Sequence, residues 1–153
     1  MSAEENKPVV RRFVEELWNK RNLDVADGIF AADCVTHQLS SGSPLTATPR
    51  DPETVKKHVL EWLSSFPDLT FSIEQMIAEG DRVASQLIMR GTHTGVWLGI
   101  APTGIPVSIR MFTIHRIANG KIAEDWVLVE ALGLFQQLGV VESTEQILAA
   151  AAQ

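Results

Sequence analysis

The residues of this chain best suited to acid–base chemistry fall in two neighbouring segments, 105–118 and 121–130. Glu130 closes the second, just before the apolar run Ala131-Leu132-Gly133-Leu134-Phe135, and His115, Glu124 and Asp125 lie upstream of it. A carboxylate at the end of a strand that opens onto an apolar pocket is desolvated, which raises its pKa toward neutrality and makes it a usable general base. Glu130 is therefore the candidate base; the plainer alternative is that it points to solvent or caps the helix that follows. His115 is a candidate catalytic histidine on the same face, or else a simple cross-strand partner of Glu124. His37 and His93 are secondary donors, with a hydrogen-bonded structural histidine as the alternative for each. Arg110, Arg116 and Asp125 read as a surface ion-pair cluster that adds little stability.

Other chemistries find little support. His58 brings the histidines to four, yet no pair has the spacing of a known metal motif, so neither a metal nor a cofactor is expected. There is no Gly-x-Ser-x-Gly nucleophile elbow and no phosphate-cradling glycine loop. Cys34 is the single cysteine, which rules out an internal disulfide and reads as a small buried hydrophobe.

The elements that must position these groups follow from periodicity. Val9, Val10, Phe13, Val14, Leu17 and Trp18 recur at helical spacing over 7–20, with Pro8 in the first turn. Asn22 caps a short second helix, and 33–38 form a strand that ends near His37. A polar loop runs from Ser40 to Pro52. Asp51-Pro52-Glu53 then starts a helix that carries Val55, Val59, Trp62, Leu63 and Phe66 and stops at Pro67. Beyond it the pattern alternates, giving strands on either side of Glu79-Gly80-Asp81, a glycine-rich loop over 94–104 with Trp97 as a candidate lid, and a hairpin at Asn119-Gly120. Helices followed by a long-stranded antiparallel meander make an α+β domain, its sheet curled over the helical layer.

A two-residue turn pairs Ala118 with Lys121 and Ile117 with Ile122. Continued outward, that register sets His115 opposite Glu124, Thr113 opposite Trp126, Met111 opposite Leu128 and Ile109 opposite Glu130. Trp126, Met111 and Leu128 would then share a cavity wall with His115 and Glu130. A β-bulge in the hairpin would shift part of this register.

Composition narrows the partners. The 153 residues suit one domain, with a core over about 8–140, a polar N-terminal tip and an Ala-rich tail. A net charge of −6 argues against nucleic acid, which needs clustered Lys and Arg. No apolar stretch approaches a membrane span, and the acidic start Met1-Ser2-Ala3-Glu4-Glu5 lacks a signal-peptide core. A cytoplasmic protein that binds a small hydrophobic molecule is expected, with no nucleic-acid or membrane partner.

Five short segments carry a resemblance: Phe66-Pro67-Asp68-Leu69, Glu79-Gly80-Asp81-Arg82-Val83, Gly91-Thr92-His93-Thr94-Gly95, Gly99-Ile100-Ala101-Pro102-Thr103-Gly104 and the block from Gly120 to Gly139. In this order and spacing the chain resembles the SnoaL-like polyketide cyclases and ester cyclases of the ketosteroid-isomerase-like superfamily. The resemblance implies an α+β cone, with a curled antiparallel sheet around N-terminal helices in the cystatin-like manner. It also implies cofactor-independent enolate formation and intramolecular aldol closure. On that pattern the acid at the end of the terminal strand is the acid/base, which here is Glu130 in place of the usual aspartate. His115 matches the assisting histidine, Asp125 stands where histidine is common, and the chain has no tyrosine. The same fold hosts epoxide or ester hydrolysis, isomerisation and non-catalytic binding, which are the alternatives. A homodimer formed through the sheet's outer face completes the expectation.

Overall fold

The computed structural model describes residues 2–39 and 46–153. The first part of the expected polar loop, 40–45, lies outside the described residues. Helix α1 (Ala3–Arg12) opens with a reciprocal capping box between Ser2 and Glu5, so Pro8 sits inside the helix rather than in its first turn. A π-helical segment, Phe13–Asn19, continues it. All four of its apolar residues, Phe13, Val14, Leu17 and Trp18, are buried. Asn19 closes the segment onto the sheet, its side chain donating to the Phe71 carbonyl and accepting the Phe71 N–H.

Helix α2 (Val25–Ile29) runs into strand β1 (Phe30–Gln38), and the short β2 (Thr48–Pro49) pairs with β1. Helix α3 (Pro52–Ser65) begins as expected, with Asp51 accepting the Thr54 N–H at 3.4 Å. Strands β3 (Thr70–Glu79), β4 (Arg82–Thr92), β5 (Pro106–Ala118) and β6 (Lys121–Val129) form the meander, and helices α4 (Ala131–Gln137) and α5 (Thr144–Ala151) follow.

The six-stranded sheet has the order β2-β1-β6-β5-β4-β3, and it curls without closing. Its meander is antiparallel, but β1 joins β6 in parallel. This parallel pairing brings the N-terminal layer against the terminal hairpin. The core lies between the sheet's inner face and the helices, with Leu17, Phe30, Val59, Phe66, Leu87 and Ile109 among its buried members.

The hairpin register departs from the two-residue-turn expectation. Ala118 pairs with Lys121 and Ile117 with Ile122, but Arg116 then pairs with Glu124, leaving Ala123 as an extra residue. One extra residue reverses the facing of everything beyond it. His115 consequently lies opposite Asp125, Thr113 opposite Val127 and Met111 opposite Val129.

Candidate functional site

The bulge decides which side chains look inward. Asp125, Val127 and Val129 of β6 join His115, Thr113 and Met111 of β5 on the face toward the helices. Glu124, Trp126 and Leu128 turn to the outer face with Arg116, Ile114 and Phe112. The expected pairing of His115 with Glu124, and the shared wall of His115, Trp126, Leu128 and Glu130, are thus corrected.

A cavity lies on the inner face. Its apolar lining includes Phe13, Trp18, Trp62, Phe71, Met89 and Met111, and its polar groups are Gln38, Arg50, His58 and Thr113. Met111 alone among the residues expected to line it does so. No Asp or Glu stands among its lining residues.

Arg50 is held in place by its backbone N–H, which donates to the Cys34 carbonyl at 2.7 Å. Its side chain is 7 % exposed, and its Nε stands 3.7 Å from Asp125 Oδ2. Asp125 is fully buried, as is His115, whose Nε2 lies 4.0 Å from the same Oδ2. The Thr36 hydroxyl donates to Asp125 Oδ1. Asp125 is therefore a buried counter-ion rather than part of a surface cluster. Arg50 Nε, Asp125 Oδ2, both His115 nitrogens and Thr113 Oγ1 make no hydrogen bond among the described residues. Buried polar groups left in this state are costly.

The electrostatics agree with the geometry. Burial pushes His58 down to about 3, and the Arg50 cation pushes the same way, so its imidazole is neutral at physiological pH. Its ring is held edge-on by Trp18 at 6.0 Å and Trp62 at 6.4 Å. His115 is likewise lowered, by burial first, with Asp125 opposing the shift and Arg50 adding to it. Burial also lowers Arg50, and Asp125 opposes this. Burial drives the Cys34 thiol up to about 12, reinforced by Asp125.

The remaining candidates sit elsewhere. Glu130 is exposed, stands at the N-terminus of α4, and accepts the Arg110 N–H at 3.0 Å through Oε2. It does not meet His115. His37 lies on the outer face, stacked on Trp126 at 5.0 Å with its Nε2 2.8 Å from Glu124 Oε2. His93 is fully buried, and its Nδ1 contacts the Thr103 hydroxyl at 3.0 Å, tying down the loop between β4 and β5. Trp97 packs on Trp62 at 5.7 Å and on Phe135 at 5.4 Å. It braces a wall residue from outside the cavity. Among the described residues no cluster of three or more His, Cys, Asp or Glu could hold a metal ion.

The SnoaL-like polyketide cyclase family model matches residues 8–138. The chain belongs to that family. Among its relatives is the aklanonic acid methyl ester cyclase AcmA of Streptomyces galilaeus, 30% identical over 138 residues, which are 85% of this chain and 88% of the relative. The fold is also that of AclR from Streptomyces galilaeus, proposed to be a hydroxylase. That match has a TM-score of 0.83 and 27% identity, and covers 99% of this chain and 92% of AclR. IdmH of Streptomyces antibioticus, proposed to be a polyketide cyclase, matches with a TM-score of 0.75 and 27% identity over 88% of this chain and 98% of IdmH.

Within this family member, sequence reasoning missed Arg50, Gln38 and Thr113 and passed over His58. Arg50 sits in a polar loop beside a helix cap, where no periodicity marks an inward turn. Thr113 was on the expected face, but its neighbour across the hairpin was misassigned by one residue.

Proposed function

We propose that this protein catalyses enolate formation and ring closure on a small, largely apolar β-ketoester-type carbonyl compound held in the inner cavity. One observation carries the reading: a buried guanidinium donor, Arg50, at the wall of a largely apolar cavity. Such a donor is worth most where water is excluded and where negative charge develops on a carbonyl oxygen. The Thr113 hydroxyl supplies a second donor, and Gln38 orients the polar end of the substrate.

His58 is the base. The activated C–H bond breaks, its proton passes to the neutral imidazole, and the enolate oxygen takes up the Arg50 charge. Burial is the main cause that holds His58 down, and this neutralisation removes the second, the Arg50 repulsion, as the enolate forms. The enolate carbon then forms a C–C bond to a second carbonyl of the same molecule, and the resulting alkoxide recovers the proton from His58. The sequence is redox-neutral and needs no cofactor. Asp125 acts through Arg50, fixing and partly balancing its charge.

The test follows exchange of the activated C–H into D2O by NMR and ring closure by absorbance, using β-ketoesters that include aklanonic acid methyl ester. Arg50→Met should lower kcat/KM by about 10²–10³-fold, the usual loss for an oxyanion donor. His58→Gln should lower it by about 10²–10⁴-fold. Glu130→Gln should leave it within about twofold, because Glu130 lies outside the cavity lining. Unchanged turnover in Arg50→Met, or a large loss in Glu130→Gln, would overturn the assignment.

A further inference from the structure

Thr36 forms no part of the cavity wall, yet two of the polar groups at that wall are tied to it. Strand pairing builds the connection. Successive side chains of a strand alternate between its faces, so Cys34, Thr36 and Gln38 of β1 share one. The parallel register sets Thr36 beside Asp125 and Gln38 beside Val127, which puts that face on the inner side of the sheet. On its other flank β1 takes β2, with Thr36 against Thr48, and Arg50 follows directly after β2.

Proton counting then fixes the direction of each bond. Gln38 Nε2 lies 2.8 Å from Thr36 Oγ1, and the Thr36 hydroxyl meets Asp125 Oδ1. A hydroxyl has a single proton to give, and an ionised carboxylate can only accept. The Thr36 proton therefore goes to Asp125, and Thr36 Oγ1 receives the Gln38 amide. This holds the Gln38 N–H on Thr36 and leaves Oε1 as the acceptor available to the cavity. A turned-over amide would set Oε1 against an oxygen with no proton left to offer. The other oxygen of the same carboxylate, Asp125 Oδ2, stands 3.7 Å from Arg50 Nε. Thr36 is 4 % exposed and Asp125 not at all, so bulk water cannot take over either bond.

We propose that Thr36 is a positioning residue of this site, orienting Gln38 directly and Arg50 through Asp125. One hydroxyl thereby sets the polarity of the cavity, with an acceptor presented by Gln38 and a donor by Arg50. A substrate that satisfies both carries a hydrogen-bond donor, an enol or hydroxyl group, as well as the carbonyl on which charge develops. A site built around such a pair discriminates against molecules that lack either half, because its own polar groups are then left unpaired. The proposal rests on the reading of the inner cavity as the reaction site.

Two variants separate the hydroxyl from the rest of the side chain. Thr36→Val keeps the shape and removes the hydroxyl, while Thr36→Ser keeps the hydroxyl. With the same β-ketoesters, Thr36→Val should raise KM and lower kcat by about tenfold each, the effect of one lost hydrogen bond at either end of the chain. Thr36→Ser should bring both back to within about twofold of the unmodified protein. Nitrogen–proton correlation NMR reads the orientation itself, with the Gln38 side-chain amide assigned by its disappearance in Gln38→Met. In the unmodified protein and in Thr36→Ser this amide should stand apart from those of exposed glutamines and exchange slowly. In Thr36→Val it should join them. Should Thr36→Val not fold, the unmodified chain decides alone, since a Gln38 amide that behaves like an exposed one overturns the proposal. So does a Thr36→Val protein with unchanged kinetics, or a Thr36→Ser protein as impaired as Thr36→Val. Unchanged turnover in Arg50→Met counts instead against the reaction site and leaves the Gln38 amide signal in place, so the two failures are told apart.

Discussion

Asp125 shows how much a single side chain can carry in this protein. It is fully buried, bonded to Thr36, and within 4.0 Å of both Arg50 and His115. Replacing it with alanine strands a buried guanidinium, and breaking a buried pair from one side typically costs about 3–5 kcal/mol. Asp125→Ala should therefore lower the urea midpoint sharply. Asp125→Asn, which keeps the shape and the Thr36 contact, should retain more stability yet change turnover, because Arg50 loses its counter-charge. Cys34, beside this cluster, offers a simple check on how closed it is. With its thiol pushed up to about 12, it should resist alkylation at pH 8 in the native protein and react only on unfolding. Rapid labelling of the folded protein would contradict this placement.

At the scale of elements, the hairpin and the loop between β4 and β5 do the positioning. The bulge at Ala123 rotates Asp125 inward and Trp126 outward, and so chooses which of two chemically different faces meets the cavity. The loop is pinned at both ends. Thr94 and Gly95 donate to the Ser65 carbonyl, Gly104 donates to the His93 carbonyl, and the Ser65 hydroxyl donates to the Val96 carbonyl. A Cβ at Gly95 would lie 1.9 Å from the Ser64 carbonyl oxygen, so only glycine allows this approach. Gly95→Ala should detach the loop from α3 and release Trp97 from Trp62. The expected result is a lower melting temperature together with a raised KM, since Trp62 lines the cavity. A variant that kept both values would remove the loop from any role in shaping the wall.

For the whole molecule, half-buried His58 and fully buried His115 contribute to the response to acid. His58 is held down to about 3, against 6.5 for a free histidine, and His115 is lowered too. Between those values the unfolded chain binds protons that the native state refuses, so stability is full above about pH 6.5 and falls as the pH drops toward 3. Thermal melts from pH 7.5 to pH 4 should show this decline, and His58→Gln should flatten it. The same shift predicts a kcat/KM profile with no histidine inflection near pH 6.5. Among the described residues no helix is long and apolar enough to cross a membrane.

Much of the fold was legible because its signals are local. The Asp51-Pro52 helix start, the switch to alternation after Pro67, and the Asn119-Gly120 turn each act over a few residues, and each reappears in the structure. Residue types and spacing pointed to an α+β chain with an acid-bearing terminal hairpin, and the resemblance of five short segments pointed to the family. Tertiary structure alone decided which acid looks inward. A one-residue bulge has no sequence signature at Ala123, yet it reverses every side chain beyond it. The inward turn of Arg50 likewise depends on contacts with Cys34 and Asp125 from distant parts of the chain. Burial of a charge is a property of the assembled core, so Glu130 and Asp125 could exchange their expected roles without any change in local pattern.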